Sequence, residues 1–368
     1  MNEKIFVTQP SLPPLEDFTK SLEKIWTSKV LTNGGEFHQE LEKSLCQYLG
    51  VKYISLFNNG TIALLTALQA LNIKGEVITT PYSFVATANS LLWNGLEPVF
   101  VDVASETLNI DPLKIEAAIT EKTSAIMPVH CYGRPCNVEA IDAIAKSNNL
   151  KVIYDAAHAF AVEVNGESVL NHGDLSVLSF HATKVFNTFE GGAIISHTAE
   201  MKRHIDHLKN FGFVDELTVV EAGINGKMSE INAAVGLHQL NSIDKEIEKR
   251  ASVAEYYKEK LSDCGGIELP KFNSDVKFNY SYYPVFIKNS FPCSRDDLYE
   301  KMKLKDIFTR RYFYPLITDF PMYKKLPNVV PDNFPNAKVA ASEVLCLPMY
   351  SALSLKNQDR IIDVIQSC

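Results

Sequence analysis

The sequence has no long apolar run, no block of basic residues and no Cys-x-x-Cys pair. Without a run of about 18 apolar residues, we expect no membrane-spanning helix. The chain carries 36 lysines and arginines against 44 aspartates and glutamates, a net charge of −8. This acidic balance makes nucleic acid and anionic membranes poor partners. The first residues lack a cationic segment followed by an apolar one, so we expect no signal peptide.

The seven cysteines are scattered and odd in number, and only Cys131 and Cys136 lie near each other. This pattern favours reduced thiols in a cytoplasmic protein over a disulfide framework. Two histidines, His204 and His207, are three residues apart on a predicted helix, but no third ligand lies nearby in sequence. The sequence therefore predicts no metal site.

The chain's 368 residues, 46% hydrophobic and 22% charged, are enough for two globular domains. Apolar strands alternate with helices over the first two thirds, which predicts a mostly parallel sheet covered by helices on both faces. Residues 231–260 are predicted as one long helix that leads into a smaller domain. We therefore assign residues 1–240 to a large α/β domain, whose first 35 residues form an arm, and 241–368 to a small α+β domain.

Seven predicted strands, at 51–57, 76–80, 98–103, 124–130, 151–155, 175–180 and 193–195, build the large sheet. Five residues of interest follow such strands directly: Gly60, Phe84, His130, Asp155 and Lys184. Chemistry in parallel sheets gathers at the carboxyl ends of the strands. The sequence therefore predicts one site at that edge.

Lys184 lies in a short turn between two apolar runs that we predict as buried strands. A buried ammonium is costly without a partner, and desolvation lowers its pKa toward a neutral, nucleophilic amine. Such an amine suits Schiff-base chemistry with a carbonyl compound. The alternative is an ordinary lysine in an exposed turn.

Four further features surround this lysine in the predicted site. Asp155 ends a strand and could hold a proton on a pyridine nitrogen, although it could also cap a helix. Gly60 and Thr61 begin an apolar helix, whose N-terminus favours a phosphate but could also be an ordinary cap. Phe84 could stack on a flat ring, and Ser179 could add a hydroxyl. Together these features indicate pyridoxal 5′-phosphate.

Over essentially its full length the chain resembles the DegT/DnrJ/StrS family of nucleotide-sugar aminotransferases. The resemblance is carried by Asn59-Gly60-Thr61, Phe84-Val85-Ala86-Thr87, Asp155-Ala156-Ala157-His158-Ala159, Ser179-Phe180-His181-Ala182-Thr183-Lys184, Glu190-Gly191-Gly192, and Asn225 with Met228-Ser229-Glu230. It implies the aspartate-aminotransferase type of fold (fold type I), with a large mixed, mostly parallel sheet domain and a smaller α+β C-terminal domain. It also implies a homodimer with active sites at the subunit interface.

The resemblance assigns roles to individual residues. Lys184 matches the lysine that binds the cofactor covalently, Asp155 the acid at the pyridine nitrogen, and His158 the contact to the phenolic oxygen, often Gln in the family. The other implied cofactor contacts are the stacking ring of Phe84, the phosphate contacts Gly60, Thr61 and Ser179, and Asn225, which reaches in from the partner subunit. The chain departs from the family at Gly226 and Lys227, where an aromatic residue and an arginine are usual, and at Asn59, which is often serine.

The run from His181 to Lys184, followed by Glu190-Gly191-Gly192, is similar to members that aminate C4 of a dTDP-4-keto-6-deoxyhexose. Members acting on C3 tend to carry Tyr-Pro-Gly-Lys. The resemblance implies transfer of an amino group from L-glutamate to dTDP-4-keto-6-deoxyglucose, giving dTDP-4-amino-4,6-dideoxyglucose and 2-oxoglutarate for O-antigen or another surface polysaccharide.

Three alternatives to this activity stay open. The product could be the galacto-configured amino sugar, or the substrate another nucleotide-linked keto sugar. The chain could also be a PLP-binding regulator without turnover. A sugar dehydratase on the same fold is a third, although relatives of that kind carry histidine in place of Lys184.

Three residues are predicted to contact substrate: His181, Glu190 and Tyr314. Each has a structural alternative. His181 could be a satisfied histidine at a strand end, and Glu190 could order its loop. Tyr314 and the nearby Tyr312 could line the nucleotide or sugar region, but both could instead belong to the core of the small domain.

Overall fold

The computed structural model describes residues 3–368. Its strands, in chain order, are β1 (Ile5–Phe6), β2 (Tyr53–Phe57), β3 (Glu76–Thr79), β4 (Glu97–Phe100), β5 (Thr123–Ile126), β6 (Lys151–Asp155), β7 (Glu163–Val164), β8 (Glu167–Ser168), β9 (Leu175–Ser179), β10 (Gly192–Ser196), β11 (Ile267–Glu268), β12 (Val276–Lys277), β13 (Tyr283–Ile287), β14 (Ile307–Phe308) and β15 (Val344–Leu347).

The α-helices are α1 (Leu15–Ser28), α2 (Glu36–Leu49), α3 (Gly60–Ala70), α4 (Ala86–Trp93), α5 (Pro112–Ile115), α6 (Val138–Ser147), α7 (Ala199–Leu208), α8 (Glu230–Leu240), α9 (Ile243–Leu261), α10 (Arg295–Leu304), α11 (Pro335–Glu343) and α12 (Leu355–Gln366). No helix within residues 3–368 is long and apolar enough to cross a membrane. All seven cysteines are free thiols.

The main sheet has the strand order β2-β10-β9-β6-β5-β3-β4. Only β10 runs antiparallel to its neighbours β2 and β9, and the other adjacent pairs are parallel. The predicted mixed, mostly parallel sheet is therefore confirmed. Because β2, β3, β5, β6 and β9 point the same way, their carboxyl ends meet at one edge of the sheet.

Two apolar cores cover the two faces of this sheet. Side chains alternate along a strand, so along β10 Ala193 and Ile195 join one core while Ile194 joins the other. The first core includes Leu41 of α2 and the second Leu64 of α3. This two-sided burial explains why the strands of the sheet are almost wholly apolar in sequence.

The N-terminal arm contains more structure than the sequence predicted. Helix α1 lies within it and buries Ile25 in the core that α2 also joins. The sequence analysis assigned no helix to the arm, although Glu16 and Asp17 in the first turn of α1 are typical of a helix start. Ahead of this helix, β1 pairs with β14, so the arm also contacts C-terminal elements.

The single long helix predicted over 231–260 is wrong. The chain forms α8 and α9, separated at Asn241 and Ser242. The Ser242 hydroxyl donates to the carbonyl of Gln239 at 3.2 Å. Such local side-chain hydrogen bonds compete with helix continuation. The hydrophobic spacing continues across the break, which is why periodicity alone did not reveal it.

A second sheet, β11-β13-β15, forms in the C-terminal part of the chain. Its core includes Tyr257 of α9, Tyr283 of β13, Leu298 of α10 and Ile361 of α12, and Ile5 of β1 packs with them. The boundary between residues 240 and 241 stays a prediction.

Candidate active site

A cavity of about 700 Å³ opens at the carboxyl edge of the main sheet. The segments that line it include the turn after β2, the loop after β3, Val129 after β5, the end of β6, the turn between β9 and β10, and two stretches of the C-terminal region. Nine residues singled out from the sequence meet there: Gly60, Thr61, Phe84, Asp155, His158, Ser179, His181, Lys184 and Glu190. The topology thus places in one cavity residues that lie up to 130 positions apart.

Lys184 projects from the β9–β10 turn into this cavity. Its Nζ donates to the hydroxyl of Tyr282 at 3.4 Å and lies 5.9 Å from the centre of that ring. Burial lowers the pKa of Lys184 to about 8, although the charge of Asp155 opposes this shift. A pKa near 8 leaves the amine about half neutral at pH 8, against well under ~1% for an ordinary lysine. Lys184 is therefore a usable nucleophile and proton carrier.

Asp155 ends β6 with a buried carboxylate held by two donors. The Thr87 hydroxyl donates to Oδ2 at 2.7 Å, and the backbone N–H of Ala157 donates to Oδ1 at 3.2 Å. Burial raises the pKa of Asp155, while these hydrogen bonds and Lys184 counteract the rise. A carboxylate so oriented can hold a proton on a basic nitrogen placed in the cavity. Thr87 ends the motif Phe84-Val85-Ala86-Thr87 that carries the family resemblance, but the sequence analysis assigned no role to it.

His158 is buried, and its tautomer follows from its surroundings. Its Nδ1 accepts a hydrogen bond from the backbone N–H of Tyr132 at 3.2 Å. Burial lowers the pKa of His158 well below its usual value, so the ring is neutral and carries its proton on Nε2. The ring stacks on Phe313 with centroids 6.0 Å apart and meets the edge of Tyr282 at 4.9 Å. His158 is therefore a rigid donor through Nε2–H.

The start of α3 forms a tight cradle beside Ser179. The Asn59 side chain caps the helix by accepting from the backbone N–H of Ile62 at 2.8 Å. A Cβ added at Gly192 would lie 2.7 Å from the backbone nitrogen of Gly60, and one at Gly60 would lie 3.0 Å from Cβ of Ser179. Glycine is required here because the backbones approach too closely for side chains. The helix N-terminus and the Ser179 hydroxyl suit a phosphate.

His181 and Glu190 lie at the exposed rim of the cavity and face each other. Nε2 of His181 is 3.6 Å from a carboxylate oxygen of Glu190. Nδ1 of His181 lies 2.8 Å from the Thr183 hydroxyl. The pair can order the Lys184 turn and can also meet a substrate, so both interpretations of these residues remain compatible with the geometry.

Two predicted site residues are not among the described residues that line this cavity: Asn225 and Tyr314. Asn225 is exposed and pairs through its backbone with Asn210. Tyr314 is half exposed, and its ring lies 4.7 Å from the guanidinium carbon of Arg295. The substrate contact of Tyr314 stays a prediction.

His130 also lies away from the cavity lining, although it follows β5 as predicted. Its ring is buried and stacks on Tyr154 at 4.7 Å, and its Nδ1 accepts from the backbone N–H of Cys136. Burial lowers the pKa of His130 to about 3. This histidine is a structural residue.

An aromatic wall of the cavity is formed by Tyr282, Tyr312 and Phe313. Sequence reasoning considered Tyr312 as a lining residue but missed Tyr282 and Phe313. These residues come from the C-terminal part of the chain, about a hundred positions or more beyond Lys184. The only signal was the density of aromatics around residue 312, which is equally typical of a domain core.

Comparison with known proteins adds to this geometry. The profile of the DegT/DnrJ/EryC1/StrS aminotransferase family matches residues 15–366. Over 366 residues the chain is 58% identical to a dTDP-4-amino-4,6-dideoxy-D-glucose transaminase of Shigella dysenteriae, covering 100% of this chain and 99% of that protein.

Solved structures agree with the sequence comparison. DesI, determined in the presence of its TDP-sugar product, superposes with a TM-score of 0.95 at 32% identity, covering 100% of this chain and 93% of DesI. NtdA from Bacillus subtilis, determined with bound cofactor PMP, gives a TM-score of 0.87 at 30% identity, covering 96% of this chain and 81% of NtdA.

Proposed function

The chain belongs to the DegT/DnrJ/EryC1/StrS aminotransferase family, and from this premise we propose that it moves an amino group from L-glutamate to C4 of dTDP-4-keto-6-deoxyglucose. The products are 2-oxoglutarate and dTDP-4-amino-4,6-dideoxyglucose, a precursor for O-antigen or another surface polysaccharide. The observation that carries the proposal is the full-length 58% identity to a transaminase named for that amino sugar. The cavity supports it, because a nucleophilic lysine and a buried acid line the same space.

Pyridoxal 5′-phosphate fits the residues of the cavity. Gly60, Thr61 and Ser179 would hold its phosphate at the start of α3, and Phe84, which is 58% exposed at the cavity wall, would cover its ring. Asp155 would hold the proton on its pyridine nitrogen. When bound, this cofactor supplies the aldehyde that carries the amino group and a ring that stores the electron pair.

The chain's own residues supply the proton chemistry. When the cofactor is bound, Lys184 would hold it through Nζ until an amino donor takes its place. The freed Nζ would take the proton from Cα of glutamate and deliver it to the cofactor carbon that bears the transferred nitrogen, and it would move a proton in the opposite direction, to C4 of the sugar, in the second half-reaction. Its pKa of about 8 suits both directions, because proton donor and acceptor forms coexist near neutral pH. Nε2–H of His158 would donate to the phenolic oxygen of the cofactor, and the hydroxyl of Tyr282 accepts a hydrogen bond from Nζ.

The test of this function is a substrate screen with purified protein. L-Glutamate and dTDP-4-keto-6-deoxyglucose should give equal amounts of 2-oxoglutarate and one amino sugar. NMR of the product then assigns C4, since the gluco isomer shows large couplings to both neighbouring ring protons and the galacto isomer does not. If no dTDP-, UDP- or GDP-linked keto sugar yields 2-oxoglutarate, the chain is a regulator rather than a transaminase.

Gly192→Ala should weaken cofactor binding because its new Cβ would press on the backbone of the phosphate cradle. The turn must shift, so we expect the dissociation constant for pyridoxal 5′-phosphate to rise by about 10-fold, equivalent to roughly 1.4 kcal/mol. Gly34→Ala is a matched control, because a Cβ there meets nothing within 4 Å, although its positive φ costs some stability. Equal cofactor affinity in Gly192→Ala and wild type would show that the cradle does not hold the phosphate.

We also propose that the enzyme is a homodimer. The segment 211–224 forms a hairpin, with Phe213 paired to Val219 and the Asp215 carboxylate accepting from the N–H groups of Leu217 and Thr218. Leu217 is 89% exposed and Val219 54%. An apolar hairpin of this kind suits burial against a second copy.

The hairpin leads directly into Asn225. In a dimer built on it, Asn225 would reach the partner's cavity, which would explain why it does not line its own. Sedimentation equilibrium should give twice the chain mass of 41.1 kDa. A fully active species at the mass of one chain would exclude this assembly.

A further inference from the structure

Two cysteine sulfurs from distant parts of the sequence meet in the C-terminal part of the chain. Cys293 lies just before α10, and Cys368 follows α12. The thiol of Cys293 donates a hydrogen bond to the sulfur of Cys368 at 2.9 Å, across 75 positions of sequence. The sulfurs of a disulfide bond lie about 2.05 Å apart, so this pair can close with a sulfur movement of about 1 Å.

Both sulfurs are held in place by well-packed elements. Next to Cys293, the Ser294 hydroxyl accepts from the backbone N–H of Asp297 at 3.1 Å, and the Asp297 carboxylate accepts from the N–H of Ser294 at 3.3 Å. This capping box fixes the start of α10. At the other end, the backbone N–H of Cys368 donates to the carbonyl of Ile365 at 3.3 Å, and Ile365 is buried in a core that α10 also joins. The contact between the sulfurs therefore follows from the packing of α12 against α10.

The sulfur of Cys368 accepts a second hydrogen bond. The ammonium of Lys301, on α10, donates to it at 3.3 Å, in a contact that is exposed to solvent. A neighbouring cation stabilises a thiolate, which is the form of cysteine that reacts with oxidants. Burial and the hydrogen bond to Cys368 raise the pKa of Cys293 to about 12, so Cys293 keeps its proton. The two sulfurs are therefore unequal: one is accessible beside a cation, and the other is a protonated thiol in contact with it.

Three other cysteines lack this arrangement. Cys131 and Cys136 lie close in sequence, but both are buried, and burial raises the pKa of each thiol. The Cys136 thiol donates to the carbonyl of Val129 at 3.2 Å, and within residues 3–368 no hydrogen bond joins it to the Cys131 sulfur. Cys264 packs against the same core as the pair, but its sulfur has no hydrogen bond to another thiol in that part of the chain.

We infer that Cys293 and Cys368 form a redox-sensitive pair: an oxidant of the peroxide class acts first on Cys368, and Cys293 then closes a reversible disulfide. A reactive, accessible cysteine next to a second thiol is typical of redox-sensing sites. Neither residue is among the described residues that line the cavity at Lys184. This modification site is therefore separate from the proposed transaminase site and does not depend on that function.

The reaction uses one peroxide molecule for each pair. The thiolate sulfur of Cys368 attacks one oxygen of hydrogen peroxide, the O–O bond breaks, and the departing hydroxide takes up the proton that Cys368 released. Cys368 is then a sulfenic acid. The sulfur of Cys293 attacks the sulfur of Cys368, an S–S bond forms, the S–O bond breaks, and hydroxide leaves as water with the proton of Cys293. Two thiols are oxidised by two electrons in total, and hydrogen peroxide is reduced to two molecules of water.

The experiment treats holoenzyme with a slight excess of hydrogen peroxide, blocks the remaining thiols and maps the peptides by mass spectrometry without reduction. We expect one disulfide-linked pair of peptides, containing Cys293 and Cys368, that disappears after dithiothreitol. Because the bridge spans 75 positions of sequence, the melting temperature should rise by about 5 °C and return to its starting value after reduction.

Variants assign the roles of the two sulfurs. In Cys293→Ser, peroxide should leave a sulfenic acid on Cys368, which dimedone labels, and the melting temperature should not rise. Cys368→Ser should give neither a bridge nor a label at Cys293. Lys301→Gln should slow bridge formation by about 5-fold, since the cation no longer favours the thiolate. Cys264→Ser is the matched control and should form the bridge at the wild-type rate. Before treatment, each variant should have the circular-dichroism spectrum of wild type, which shows that it folds.

A bridge between any other two cysteines would overturn the inference, as would oxidation of Cys293 and Cys368 that is no faster than that of the buried Cys131. A sulfenic acid on Cys293 in the Cys368→Ser protein would overturn the assigned order of the two steps. An unchanged rate in Lys301→Gln would remove Lys301 from the activation of Cys368.

Discussion

Lys184→Ala should abolish both half-reactions, with kcat falling at least about 10⁴-fold. The variant loses the covalent anchor of the cofactor and also the group that moves the proton. No other lysine lines the cavity within the described residues, so none can replace it. The loss should appear equally in the conversion of glutamate to 2-oxoglutarate and in the amination of the sugar, because one nitrogen serves both.

Single-turnover assays of each half-reaction measure this effect. Tyr282→Phe is the matched control, since it removes only the hydroxyl that accepts from Nζ at 3.4 Å. That variant should keep most of its activity, because a neutral hydrogen bond contributes about 1 kcal/mol. A Lys184→Ala protein that still converts glutamate at a comparable rate would remove the lysine from its central role.

Asp155→Asn should lower kcat by about 10²- to 10³-fold while leaving the fold intact, because an amide fills the same volume but cannot hold a proton on the ring nitrogen. The Thr87 hydroxyl and the Ala157 N–H now stabilise the carboxylate, and an amide replaces only part of those bonds. The loss is smaller than for Lys184 because the covalent anchor remains.

Thr87→Val is the comparison variant for this prediction, because it separates the hydrogen bond to Asp155 from the charge of Asp155. It removes the 2.7 Å hydrogen bond to Oδ2 but keeps the charge of Asp155. Without that donor the pKa of Asp155 should rise further, so activity should fall modestly and most strongly at acidic pH, where the carboxylate begins to be protonated. Steady-state pH profiles of both variants measure this. Equal losses in Thr87→Val and Asp155→Asn would indicate that geometry, rather than charge, is what Asp155 supplies.

The large sheet and its catalytic edge could be predicted because their signals are local. Each strand is a short apolar run, and Gly60, Asp155 and Lys184 follow such runs directly. Parallel connectivity then brings these residues to one edge without any further information. Strand β6 even has the predicted bounds, residues 151–155.

The aromatic wall could not be predicted in the same way. Tyr282 meets Lys184 across 98 positions of sequence, and Tyr132 meets the carbonyl of Tyr312 across 180. No spacing rule links such residues, because their proximity depends on how the C-terminal sheet packs against the large one. The contact proposed for Asn225 could not be predicted either, because it lies on another subunit and the structure of one chain does not contain it.

The break between α8 and α9 shows a different limit. Apolar residues continue at helical spacing across Asn241 and Ser242, so periodicity predicts continuity. At the break the backbone of Ser242 has φ −118° and ψ −1°, and its hydroxyl donates to the Gln239 carbonyl. This local departure from helical backbone angles is visible only in the structure.

Reduction of the holoenzyme with borohydride, followed by peptide mass spectrometry, tests most directly whether Lys184 is the covalent centre of this site. The reduced bond should carry the mass of the cofactor on the single peptide that contains Lys184, and incubation with glutamate before reduction should remove the label. A label on any other lysine would contradict the account. So would an unlabelled Lys184 after reduction of a holoenzyme that was fully active beforehand.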